Sequence, residues 1–292
     1  MLLDMLLYGA LIPGAAAGLI ALLIMRLASG EQSWPWLSPV AIGGGFVIAF
    51  AAYFGVEDLF APQSWQWVFW AGVIAIPSCL LRGRLTSTVS VAFYSAFAAA
   101  LVLYPMIGKL VPHEFDQQQV LFRTAILAAI TGVVGGCLEI SARSYSAKAL
   151  APGWTIYAAG FAALAFELGS ARLGQMAGFV AATCGALAVL AWIQSKPQLL
   201  RGGSIAIALV IVQIAANTYF FGYDVAALPL VIAGLPAIFL ALSTKWSWIR
   251  NLNPIPAAVS IIVIVAAPLG CAFLLATSGA EDDPYGSSDL PY

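Results

Sequence analysis

"SIAIALVIVQIAANTYFFGYD", residues 204–224, runs from Ser204 to Phe221 without a charge and ends in Gly222 and Asp224. A helix needs about 20 apolar residues to cross the hydrocarbon core, and somewhat shorter spans are tolerated by local thinning. Strands of a membrane barrel instead alternate apolar and polar residues over about ten positions, and nothing here alternates in that way. With every backbone polar group needing a partner inside lipid, the helix is the remaining solution. Two amides interrupt the run, Gln213 and Asn217, four apart and therefore on one face of the helix.

The rest of the chain follows the same pattern. Hydrophobic residues make up 62% and charged residues 9% of 292, with a mean hydropathy of +0.95; a soluble domain carries about a quarter charged residues. The fold class is an all-α integral membrane protein of about ten transmembrane helices. The spacing predicts spans at 5–27, 37–54, 65–81, 87–106, 119–140, 154–168, 173–194, 204–221, 225–242 and 256–277. They form a single transmembrane domain, 1–277, followed by an acidic tail, 278–292, with no apolar periodicity. The first run has Asp4 where a secretory signal would carry Lys or Arg, so it is read as a retained helix.

Loop charge sets a direction. Arg26, Arg82, Arg84, Arg143, Lys148, Lys196, Arg201, Lys245 and Arg250 follow the odd-numbered spans, nine of the twelve basic residues. Cytoplasmic loops collect Lys and Arg, so these loops are expected inside and both termini outside. Glu57, Asp58, Glu114, Asp116, Glu167, Asp224 and the tail carboxylates fall on the opposite side. Short loops and this asymmetry suggest a bacterial inner membrane. A net charge of −1 without a basic cluster gives no footprint for nucleic acid; the expected partners are the bilayer, other membrane subunits or further copies of the chain.

The opening stretch has an echo. "AIGGGFVIAFAAYFGVED", residues 41–58, also starts Ala-Ile and ends in aromatics, Gly and an acid. Gly14-x-x-x-Gly18 pairs with Gly174-x-x-x-Gly178, Pro77 in "VIAIPSCLL" with Pro236 in "VIAGLPAIFLAL", and "TVSVAF" at Thr88 with "AVSIIV" at Ala258. The order is kept, which points to a parallel four-helix repeat: helices 1–4 (5–106) and 7–10 (173–277), linked by 119–168. Interfacial placement alone also produces some of this similarity.

Chemistry-bearing residues are few. Charges inside a span are costly and become candidates by default. Glu139 lies near the inner end of the fifth span with Arg143 four residues on, the spacing of a same-face ion pair. Glu167 and Arg172 bracket a short turn, and Arg123 is expected to snorkel toward Asp116. Gln213, Asn217, Glu139 and Glu167 are the substrate-path candidates; the plainer reading is interhelical glue for the amides and interfacial pairs for the acids. The glycines, Gly43 to Gly45, Gly132, Gly135 and Gly136, and the two G-x-x-x-G pairs, are read first as close-packing positions.

Enzyme readings thin out quickly. One histidine cannot supply two haem ligands, and His113 in "PHEFD" lacks the spacing of a zinc helix. "FGYD" offers Asp224 no second intramembrane carboxylate. Cys79, Cys137, Cys184 and Cys271 lie in apolar runs without metal-like spacing. No catalytic, cofactor or metal site is expected. The function read from the chain is a small permease for an uncharged or weakly polar solute; the alternative is a non-catalytic membrane subunit that anchors or scaffolds a larger complex.

Overall fold

The computed structural model describes residues 7–27, 37–57, 59, 63–81, 87–111, 114–194, 199–222 and 225–280. His113, Asp224 and the tail from Glu281 lie outside them. A π-helical turn, Leu7–Leu11, leads into α1 (Ile12–Leu27), followed by α2 (Leu37–Phe54) and α3 (Trp67–Ala75). Then come α4 (Thr88–Gly108), α5 (Gln117–Ser144), α6 (Ala147–Glu167), α7 (Ala171–Gln194) and α8 (Gly203–Phe221). The chain ends in α9 (Ala227–Ser243), the short α10 (Ser247–Arg250) and α11 (Pro254–Ala280). No strand occurs among the described residues.

Eight of these helices are long and apolar enough to cross a membrane: α1 together with the π-helical turn before it (Gly9–Arg26), α2, α4, α5, α6, α7, α8 and α11. α9 is a shorter apolar helix of 17 residues, about 25 Å at 1.5 Å per residue, at the short end of what crosses a bilayer. The span expected at 65–81 is helical but broken. Its nine-residue α-helix is flanked by 3-10 turns at Ser64–Gln66 and Ile76–Leu81. Pro77 supplies the reason: without an N–H it cannot bond back to Val73. Ile76 N–H already takes that carbonyl in the tighter pattern. α6 starts seven residues earlier than the sequence suggested. The polar stretch around Lys148 reads as a loop, but it is helical, with Pro152 inside the helix at its sixth residue. Only Tyr145 and Ser146 separate α5 from α6.

α8 runs through the middle. It packs against α2, α3, α4, α5, α6, α7 and α9, and 78% of it lies inside the protein, against 17% of the first span. Around it α2, α3, α4, α5, α9, α11, α6 and α7 follow one another in contact, and α7 returns to α2. α1 lies outside this ring in the groove between α2 and α7. The opening stretch of sequence is therefore the pillar of the bundle.

Side-chain size is sorted across α4 and α5. On α4, Val89, Phe93, Phe97, Leu101 and Tyr104 are exposed at helical spacing, while Ser95, Ala98, Ala99 and Val102 are buried. On α5, Phe122, Ile126, Ile130 and Val133 face outward, and Gly132, Gly135 and Gly136 face α4. A methyl group at Gly132 would stand 2.8 Å from the Ala92 carbonyl oxygen and 3.1 Å from Ala96 Cβ, so only glycine permits this approach. An outer face of large apolar residues, with small ones at the α4–α5 contact, suits lipid, not water.

The two G-x-x-x-G pairs behave differently from that expectation. Gly14 meets the Ala182 carbonyl across α1 and α7 at 3.5 Å, and Gly174 meets the Phe166 ring, but added methyls at Gly18 and Gly178 would touch nothing within 4 Å. Close helix packing is made at other glycines as well: Gly43 and Gly72 between α2 and α3, Gly132 and Gly135 between α5 and α4, and Gly153 and Gly160 between α6 and α11.

Candidate functional site

Glu139 is 1% exposed and fully engaged. Arg143 Nε donates to Oε1 at 2.8 Å, one turn along α5. Oε2 accepts from the Gly202 backbone N–H at 3.0 Å and from Ser204 Oγ at 2.8 Å. Gly202 is the residue before α8 and holds a left-handed φ of 80°, a conformation that favours glycine. Helix starts leave N–H groups unpaired and carry partial positive charge, so this carboxylate caps the central helix from a neighbouring one. The Glu139–Arg143 pair is thus extended by partners that the local spacing did not reveal. The "GGS" before an apolar run was the available signal for a helix start; that a remote acid would cap it was not legible.

Gln213 and Asn217 are 2% and 3% exposed. Both reach the Met106 thioether on α4, Gln213 Nε2 at 2.9 Å and Asn217 Nδ2 at 3.3 Å. Asn217 Nδ2 also donates to the Ser64 carbonyl at 2.6 Å, at the start of the broken segment that contains α3. The structure brings these two amides together, as their spacing requires, and joins three elements through them. Sequence reading missed Met106, a weak acceptor without a charge or motif to mark it.

Glu139 and Glu167 do not join this cluster. Glu139 lies at the opposite end of α8 from Asn217, and Glu167 is exposed at the end of α6. Among the described residues no ion pair links Glu167 to Arg172, whose guanidinium lies 5.2 Å from the Trp65 ring centre. Arg123 also departs from expectation. Asp116 caps α5, accepting from Gln119 N–H at 2.7 Å, and Arg123 lies 4.1 Å over Phe115 and 5.6 Å from Phe220. An aromatic face holds a cation at the membrane surface without a carboxylate.

Two further features lie near the ends of the bundle. Tyr145 Oη and Ser243 Oγ share a hydrogen bond of 2.9 Å, tying the α5–α6 connection to α9. Burial raises the Tyr145 phenol above its ordinary value, offset in part by this bond and by the charge of Arg250. At the other end a cavity of about 260 Å³ opens between α1, α2, α6 and α7. It is lined by Gly9, Tyr53, Phe166, Gln175, Gly178 and Phe179, with Gln175 Nε2 donating to Tyr53 Oη at 2.8 Å. None of the four candidates lines it. No group of three or more metal-ligating side chains occurs among the described residues.

Long apolar helices, an outward belt of large side chains and buried polar groups bonded between helices define a multi-pass helical membrane protein. Compared with known proteins, the chain matches no family model, and no curated protein matches it either.

Proposed function

We propose that this chain is a non-catalytic integral membrane subunit, a fixed bundle that anchors or scaffolds a larger membrane complex. The observation that supports this reading is the engagement of its buried polar candidates. Glu139, Gln213 and Asn217 all spend their donors or acceptors on neighbouring helices, and α8 occupies the axis that a solute path would need. In the proposed arrangement ten segments span the membrane, α3 with its 3-10 flanks and α9 included. The basic ends face the cytoplasm of a bacterial cell and both termini face out. The four-helix repeat fits this frame as an ancestral duplication whose copies have diverged in packing: α2 lies in the ring and α8 at its centre.

A permease for a weakly polar solute is the second reading, favoured by one feature. α3 is discontinuous, and its leading turn is held by Asn217 of the central helix; transporters place binding sites at such broken helices. One experiment separates the two. Photo-crosslinkers at the outward Phe93 and Phe97 in native membranes, followed by purification in mild detergent, should yield a defined adduct with another membrane protein at fixed stoichiometry. Recovery as a lone chain that moves a solute into proteoliposomes would overturn the subunit reading.

A further inference from the structure

The start of α8 holds more donors than the protein satisfies. Arg201 immediately precedes Gly202 and follows Leu199 and Leu200, both fully buried. Its Nε is buried and has no partner among the described residues. Ser38 Oγ on α2, fully buried and likewise unpartnered, stands against Gly203 in the same first turn. Native structures leave few such groups, and each needs an acceptor or an explanation. Among the described residues Glu139 is the one acid bonded to this helix start, and Arg143 already balances it. What remains is the charge of Arg201 plus the partial positive charge of the helix.

We propose that this corner binds a phosphate group that carries net negative charge, uncompensated by a cation of its own, with Arg201 as its principal ligand. A guanidinium donates to phosphate oxygens in a planar fork, and an Nε held out of water pairs better with a charged acceptor than with none. In the topology read from the sequence, the corner lies on the side whose loops carry nine of the twelve basic residues. That side is where helix-flanking basic pockets meet anionic head groups. The phosphate can belong to a phospholipid head group or to a soluble phosphoanion; both present the same chemistry to Arg201.

The test uses the full chain in phosphatidylcholine nanodiscs, titrated separately with phosphatidylglycerol and with inorganic phosphate. Binding is followed by native mass spectrometry and by thermal stabilisation. Phosphatidylglycerol should bind and stabilise the wild type where additional phosphatidylcholine does not, and Arg201→Gln should weaken it about tenfold or more. Arg201→Lys, which keeps the charge and loses the fork, should fall between, and Arg26→Gln should match the wild type. Displacement of the lipid by inorganic phosphate would assign the site to soluble phosphoanions. Retention of the lipid would assign it to the head group. Equal binding of both phospholipids with no response to inorganic phosphate would overturn the proposal, as would Arg201→Gln that folds and binds like the wild type. Should Arg201→Gln not fold, the Arg201→Lys and wild-type competition arms decide.

Discussion

Replacing Glu139 by alanine removes the acceptor of three donors at once: Arg143 Nε, Gly202 N–H and Ser204 Oγ. Removing one partner of a buried ion pair costs about 3–5 kcal/mol, and an acid at a helix start adds about 0.3–1 kcal/mol. These figures overlap because one carboxylate makes every contact, so they do not sum. Arg143 is 30% exposed and can turn toward water once released, whereas Gly202 N–H and Ser204 cannot follow it. The expected loss for Glu139→Ala is therefore near the lower bound, about 3 kcal/mol. Glu139→Gln keeps an acceptor oxygen and loses the charge, and should cost about half as much. Equilibrium unfolding in mixed micelles, followed by tryptophan fluorescence, measures both. A double-mutant cycle with Ser204→Ala should give a coupling of about 1 kcal/mol. If Glu139→Ala unfolds within about 0.5 kcal/mol of wild type, the carboxylate does not hold α8, and the reasoning fails.

Other outcomes follow from the same packing. Gly132→Leu should destabilise by about 1–3 kcal/mol or more, because its side chain meets the Ala92 backbone. Gly178→Ala, which touches nothing within 4 Å, should melt with the wild type; thermal unfolding in detergent compares the two. Asn217→Leu strands the Ser64 carbonyl and should cost about 1–2 kcal/mol, while Gln213→Leu, which abandons only a thioether, should cost less than half of that. A phosphatase fusion at the C-terminal tail should be active and a fluorescent-protein fusion dark, as expected of a terminus outside the cytoplasm; the reverse would invert the topology.

How far the sequence reached depends on what each residue's neighbours are. α8 was expected at 204–221 and occupies Gly203–Phe221, because the absence of charge over its length is a property of the segment itself. The break in α3 was only half legible. Pro77 marks a weak point, but whether a proline kinks a helix or converts its end to 3-10 depends on what the freed carbonyls meet. The start of α6 was misplaced because Lys148 reads as loop, while in the fold it lies 5.5 Å from the Trp192 ring centre and remains helical. The site followed the same division. The four-residue spacings predicted that Glu139 meets Arg143 and that Gln213 lies beside Asn217. They could not predict Met106, Ser64 or Gly202, which lie 63 to 153 residues away from their partners. G-x-x-x-G failed as a local signal for a related reason: small residues allow a close approach, and only the opposing helix decides whether one occurs.

The central claim is that α8 is a packed pillar and not the wall of a path. Thiol accessibility at its polar face tests this most directly. With Cys79, Cys137, Cys184 and Cys271 changed to serine, Gln213→Cys is exposed in native membranes to a membrane-impermeant, water-soluble thiol reagent from each side in turn. The packed bundle predicts no labelling from either side until the protein is unfolded. Labelling of the folded protein, slowed by a solute, would contradict the account and restore the permease.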